Sequence, residues 1–304
     1  MISSCTAENC RNSSKSYIPL SPHPNPRRHL ELQLTLLSFT SLEHRTLSQV
    51  SMASYLITGA SRGFGLALVR ELISHPTSKV GTVFAATRSD SSVLNELAQK
   101  SSGRVIVVKL DVTDRGSIKK AAAEVESKLE GKGLDVLINN AGICQYAFEG
   151  IKTMETLEES FAINVMGVHW VIQAFLPLVQ KGAQKKVVNV STTLGSTTMA
   201  PGNSYFPAPA YKISKAAANA LTAQYAVEYE KEGFSFTALC PGWMKTEMGG
   251  GDVAELAPEE SAKASLEIIF AEGQKYNGQL RKIFVKGWEN FKGRNVYDGA
   301  IAPW

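Results

Sequence analysis

Tyr211 and Lys215, in the run Tyr211-Lys212-Ile213-Ser214-Lys215, stand four positions apart. On a helix, positions i and i+4 lie one turn apart on the same face, so the phenol and the ammonium project together. A phenol with a pKa of about 10 is a poor proton shuttle at neutral pH. Bringing it to about 7 takes roughly 4 kcal/mol of preference for the phenolate, which a neighbouring positive charge can supply. The pair by itself is weak evidence, because a Tyr and a Lys at this spacing meet by chance in many proteins.

A second pattern gives it a context. An apolar run enters directly into Thr58-Gly59-Ala60-Ser61-Arg62-Gly63-Phe64-Gly65. Glycines let the backbone turn sharply and approach a pyrophosphate closely, and a following helix offers its free N–H groups to the anion. The spacing is Gly-x-x-x-Gly-x-Gly, not the commoner Gly-x-Gly-x-x-Gly. A glycine-rich stretch can also be no more than a tight turn, but its place between a strand and a helix favours a dinucleotide site. An oxidised nicotinamide held there would be a second source of positive charge beside the phenol.

The end of the next strand bears on which dinucleotide. An NAD site usually carries an acid there, hydrogen-bonded to the ribose hydroxyls. This strand closes on Ala85-Ala86-Thr87-Arg88, with no acid at its end. Arg62 and Arg88 fall where the adenosine end must sit, and guanidinium groups suit bidentate contact with a 2′-phosphate. The plainer reading is two solvated arginines; their position favours NADP(H). Asp90 would serve an NAD ribose only if the strand ended later. Asp111, closing the third strand and followed by Val112, is placed to meet the adenine.

The elements that must position these groups alternate along the chain. Apolar, β-branched runs are expected at 55–58, 83–87, 105–110, 136–139, 186–191 and 234–239, with a seventh at 282–285. Helical spacing is expected at 62–74, 93–99, 117–129, 155–179, 211–231 and 258–271. Strands separated by crossover helices pair in parallel, which predicts an α/β, doubly wound, Rossmann-like sheet of about seven strands with helices on both faces. Ligands in such sheets bind beyond the carboxyl ends of the strands. No internal repeat is visible, so residues 52–304 are expected to form a single domain.

Composition excludes several alternatives. The formal charge of +4, with no block of like charge, does not suit a nucleic-acid partner. Cys5, Cys10, Cys144 and Cys240 show neither metal-ligand spacing nor a disulfide framework, which points to no metal and to a reducing, cytoplasmic setting. No apolar run reaches the ~18 residues of a membrane span. Residues 1–51 are Ser-rich, carry Pro19, Pro22, Pro24 and Pro26, and lack a sustained apolar period, so they are expected to be a disordered or non-native extension. Arg11, Lys15, Arg27, Arg28 and Arg45 also allow a mitochondrial targeting peptide, against which Glu8, Glu31 and Glu43 count.

The ordered motifs resemble those of the short-chain dehydrogenase/reductase family. They are TGASRGFG at 58–65, LDVTD at 110–114, NNAG at 139–142, the Asn of FAINVMG at 161–167, YKISK at 211–215 and PGWMKT at 241–246. The resemblance runs from about Ser54 to the C-terminus, and within the family it points to sniffer-like and C-factor-like carbonyl reductases or fungal ketoreductases. It implies that Tyr211 is the general acid in reduction and base in oxidation. It also implies that Lys215 holds the nicotinamide ribose and lowers the Tyr pKa, and that Asn164 fixes a water in a proton relay. Asn140, Ala141 and Gly142 would line the adenosine ribose, and Pro241, Gly242, Met244 and Thr246 would close over the nicotinamide. The helices at 155–179 and 211–231 would pack between subunits of a homodimer or homotetramer.

One position departs from the family. Its catalytic Ser stands three residues before a Gly, and here that position in Ser191-Thr192-Thr193-Leu194-Gly195 is Thr192. Thr keeps the hydroxyl that polarises a carbonyl, while its methyl restricts χ1. Ser191 should face the other side of the strand and ranks second. Cys144, Tyr146, Met199, Pro201, Tyr205, Phe206, Pro207, Trp243, Met244 and Met248 are candidates for a mostly apolar pocket, suited to an aromatic or apolar ketone, aldehyde or quinone. An alternative, for which Thr192 is the one supporting feature, is an NADP-binding sensor or scaffold with weak catalysis.

Overall fold

A computed structural model describes residues 52–291 and 295–304 of the chain; the expectation for residues 1–51 lies outside the described residues. Strand β1 (Ala53–Thr58) is buried along its whole length, as is most of β2 (Val80–Thr87). Continuous apolar runs of this kind fit parallel strands covered on both faces. β3 (Val105–Lys109), β4 (Val136–Asn139), β5 (Lys186–Val190), β6 (Ser235–Cys240) and β7 (Gln279–Lys282) complete a parallel set, and β8 (Ile301–Ala302) adds an antiparallel edge. The order is β3-β2-β1-β4-β5-β6-β7-β8, so the chain reverses direction across the sheet between β1 and β4. That reversal opens a crevice above the carboxyl ends of the two central strands.

Successive side chains of a strand point to opposite faces, and each face carries its own core. Tyr55, Ile57, Val83 and Ile138 pack against helices α1 (Gly63–Ser74) and α7 (Pro258–Ile269), through Leu68, Leu72, Leu266 and Ile269. Leu56, Phe84, Leu137 and Phe236 pack on the other side. They meet helices α3 (Arg115–Leu129) and α5 (Val168–Lys181), through Ile118, Val125, Ile172 and Phe175. Helix α2 (Ser92–Lys100) covers the edge near β3. Helix α6 (Pro209–Glu228) lies against β6 and opens on Pro209, whose missing N–H costs nothing in a first turn.

The sheet is the doubly wound Rossmann-like α/β fold that the alternation of elements predicts, with three differences of detail. It has eight strands rather than about seven, because two residues near the C-terminus pair backwards along β7. The seventh strand is Gln279–Lys282, not 282–285: Gly278 takes a positive φ of 67° and starts it early. The helix expected at 155–179 is three pieces, α4 (Leu157–Phe161), a π-helical turn (Ala162–Gly167) and α5.

Together those pieces span Leu157–Lys181. Among the described residues they make the one helix long and apolar enough, by length and composition, to cross a membrane. It is not an unbroken apolar run, since Glu158, Glu159, Asn164, His169 and Gln173 interrupt it. Its apolar residues Val168, Val171, Ile172, Phe175 and Val179 belong to the core under the sheet, which is why the helix is so apolar.

Candidate active site

The glycine turn follows β1 and delivers the chain to α1 at the sheet's crevice. Gly59 and Gly63 take positive φ values of 67° and 53°, where a side chain would strain the backbone. A Cβ on Gly65 would stand 2.3 Å from Gly59 O and 2.6 Å from Asn140 Nδ2. The turn therefore folds against itself with no room for a methyl, and α1 starts with no side-chain cap and no acid in its first turn. Free N–H groups at such a helix start suit a pyrophosphate. Gly65→Ala should cost about 1–3 kcal/mol of stability by overpacking and spoil dinucleotide binding. A thermal melt with and without dinucleotide checks this, and an unchanged melting point in both would refute it.

The Asn140 side chain serves the turn instead of facing outward. Its amide donates to Thr58 O (2.8 Å) and Gly59 O (3.0 Å). The Thr58 hydroxyl in return accepts the backbone N–H groups of Asn140 and Ala141, both at 3.0 Å. Thr58 is a contributor that sequence reading missed, because its partners lie 82 and 83 positions away.

A cleft of about 1560 Å³ runs from this turn across the ends of the strands. Gly59, Ser61, Arg62, Gly63, Phe64, Gly65 and Arg88 line one end, with Asp111, Val112, Asn140, Ala141 and Gly142 beside them. Asp111 is held below the usual carboxylate range. Burial alone would raise it, but hydrogen bonds from the Thr113 hydroxyl (2.7 Å) and N–H (2.9 Å), with the Arg88 charge, outweigh burial. Tyr211, Lys215 and Thr192 line the middle, and Pro241, Gly242, Met244 and Thr246 face them from the segment after β6.

Asn164 does not line the cleft: it is fully buried in the π-helical turn. Its amide accepts from Ile143 N–H (2.9 Å) and donates to Ile143 O (2.9 Å) and the Ser214 hydroxyl (3.0 Å). It thereby joins the residue after the NNAG segment to the second turn of α6. Lys215 is buried, donates from Nζ to Val190 O (2.7 Å) and sits 5.8 Å from the Tyr211 ring centroid. Burial pushes the Lys215 ammonium down to about 8, partly opposed by Cys144. Burial also drives Tyr211 well above an ordinary phenol, with smaller contributions from Cys144, Cys240 and Tyr146. Burial thus opposes the lowering of the Tyr211 pKa that the resemblance assigns to Lys215.

Structure separates the two candidate hydroxyls after β5. Ser191 is buried and donates to Asn219 Oδ1 on α6 (2.5 Å). Thr192 caps the short turn Thr193–Gly195, its Oγ1 accepting Leu194 N–H (3.1 Å), which leaves its own O–H to the cleft. A Cβ on Gly195 would stand 2.8 Å from the Lys215 carbonyl carbon and 2.9 Å from Ala216 N. Glycine there lets the Thr192 turn press directly on the helix that carries Tyr211.

Beyond Tyr211 the walls turn apolar. Cys144, Met199, Phe206, Trp243 and Met248 line this end, and Tyr205 and Met244 join them; Tyr146, Pro201 and Pro207 do not line it. Tyr146 stacks on Phe148 (5.5 Å, 11°) and meets Phe206 at 5.4 Å. Sequence reading also missed Tyr297, whose hydroxyl accepts Trp243 N–H (3.2 Å) and donates to Glu255. No group of His, Cys, Asp and Glu among the described residues has the makings of a metal site.

Comparison with known proteins bears on this arrangement. The family described as short chain dehydrogenase matches residues 54–256, which hold the glycine turn, Asn164, Thr192, Tyr211 and Lys215. The chain belongs to that family. This short-chain dehydrogenase is 40% identical over 200 residues to the short-chain dehydrogenase/reductase AacuF of Aspergillus aculeatus, covering 63% of this chain and 74% of that one. An NADPH-bound carbonyl reductase from chicken fatty liver has a TM-score of 0.72 at 32% identity, covering 83% of this chain and 94% of that one. The carbonyl reductase Sniffer of D. melanogaster has a TM-score of 0.71 at 31% identity, covering 83% and 100%. Sniffer-type carbonyl reductases are therefore among the relatives of this short-chain dehydrogenase, as the motif order implies.

Proposed function

We propose that this chain is an NADP(H)-dependent carbonyl reductase that interconverts an apolar or aromatic ketone, aldehyde or quinone with its alcohol. The observation that carries the proposal is the convergence of Tyr211 and Thr192 on one cleft, between a glycine cradle and an apolar wall. The cradle fits a dinucleotide: its closest glycine contacts leave no space for a Cβ, and uncapped helix N–H groups face the cleft. Ser61 and the α1 N-terminus would hold the pyrophosphate, Arg62 and Arg88 the 2′-phosphate, and Asp111 and Val112 the adenine. Ala141 and Gly142 would border the adenosine ribose, and Pro241 to Thr246 would cover the nicotinamide. The bound dinucleotide supplies the hydride for reduction.

The chain's own groups handle the oxygen. The Thr192 hydroxyl donates a hydrogen bond to the substrate carbonyl oxygen, where negative charge grows. Tyr211 gives its proton to the same oxygen. The Lys215 ammonium faces the resulting phenolate and holds the nicotinamide ribose. Asn164, its amide held by Ile143 and Ser214, would fix a water in the proton relay.

NADPH oxidation measured over a carbonyl panel tests the reading, and turnover confined to small charged carbonyls would overturn its substrate class. Arg88→Ala should lower NADPH affinity about tenfold or more, the loss of a charge-assisted contact, while NADH binding stays as it was. An unchanged NADPH-over-NADH preference in that variant would sink the assignment of Arg88. A cytoplasmic setting and a homo-oligomer built on the helices at 155–179 and 211–231 belong to the same proposal, and light scattering on the purified chain checks the oligomer.

A further inference from the structure

The segment that covers the cleft is tied to itself. The Trp243 indole N–H donates to Gly249 O (2.8 Å), Gly249 N–H donates to the Thr246 hydroxyl (3.1 Å), and Lys245 N–H reaches Leu256 O (2.8 Å). It is a preformed plate, and two side-chain contacts fasten it across the cleft. At the apolar end the Tyr146 hydroxyl donates to Met248 O (3.1 Å). At the phosphate end Arg62 meets Glu247 at 2.5 Å, between residues 185 positions apart in the chain. Both side chains also line the cleft.

We propose that Glu247 is a cofactor-selectivity residue: its carboxylate occupies Arg62 until a 2′-phosphate displaces it, so loading of the phosphorylated dinucleotide unfastens the covering plate at that end. The inference rests on the NADP(H) reading above. Carboxylate and phosphate dock on a guanidinium through the same planar fork, and the phosphate, with its greater charge, is the stronger partner. Glu247 also places a negative charge beside the arriving 2′-phosphate, which repels it; a dinucleotide without that phosphate meets neither effect. The pair can exchange readily, because its side chains are 80% and 79% exposed and their attraction is screened by water. Arg62 is free to turn, since its side chain takes no part in capping α1.

Dissociation constants for NADPH and NADH, read from nicotinamide and tryptophan fluorescence on the full chain, test the exchange. The set is the unaltered protein, Glu247→Gln, Arg62→Ala and the double variant. Glu247→Gln should tighten NADPH about two- to fivefold, in keeping with an exposed ion pair, and leave NADH unchanged. The gain should vanish in the Arg62→Ala background. Weaker binding of both dinucleotides in Glu247→Gln would overturn the proposal and show a clasp that closes over any cofactor. So would an equal change for both dinucleotides, or a gain that survives loss of Arg62. Glu247→Ala repeats the test should the Gln variant fail to fold. An unaltered protein that binds NADH as tightly as NADPH removes the NADP(H) reading itself, a failure visible before any variant is made.

Discussion

Tyr211→Phe is expected to lower kcat for carbonyl reduction by about 10²–10⁴-fold, the range for loss of a positioned general acid. Phe fills the same space in the first turns of α6 without the hydroxyl, so Lys215 keeps its bond to Val190 and Asn164 its bond to Ser214. NADPH affinity should therefore stay within about twofold, since the phenol is the proton donor and not the anchor of the dinucleotide; for scale, a twofold change is well under the 1.4 kcal/mol of a tenfold one. Stopped-flow oxidation of NADPH, run beside a binding titration, separates the two. Retention of more than a tenth of the activity would mean that another group protonates the oxygen.

Thr192→Ala carries the second large effect. It removes the hydroxyl that meets the growing charge on the substrate oxygen, and loss of one such donor lowers kcat by about 10²–10³-fold. Thr192→Ser should keep the activity, because the hydroxyl survives and the lost methyl only loosens χ1. Ser191 cannot take over, since its hydroxyl is bound to Asn219 inside the packing of β5 on α6. The two substitutions assayed together decide the role: equal activity in Thr192→Ala and Thr192→Ser would show that the hydroxyl is idle. Dinucleotide binding without turnover over a broad carbonyl panel would instead support the reading of the chain as a dinucleotide-binding sensor with weak catalysis.

Local chemistry made much of the site legible. A buried strand running into glycines, then into a helix, has few physical solutions, and Gly59, Gly63 and Gly65 adopt the one that cradles an anion. Tyr211 and Lys215 share a helix face because their spacing is one turn. The alternation of apolar runs and helices led to the parallel sheet by the same logic. Thr192, three residues before Gly195, was legible through the family's motif.

Tertiary structure decided the rest, because each remaining feature depends on groups far apart in the chain. Whether Ser191 or Thr192 offers a free hydroxyl turns on Asn219, 28 positions from Ser191. The π-helical turn at Asn164 interrupts what the apolar period presents as one helix, and its bonds to Ile143 and Ser214 arise only once the segment after β4 and α6 both meet it. β8 needed β7 as a template, and two residues carry too little pattern to be seen alone. Spacing alone places an ammonium beside the Tyr211 phenol, while packing adds the burial that opposes its effect. Sequence by itself determined which groups this protein has for its chemistry and in what order; the fold decided which are free to act, because burial and long-range hydrogen bonds engage some and leave others facing the cleft.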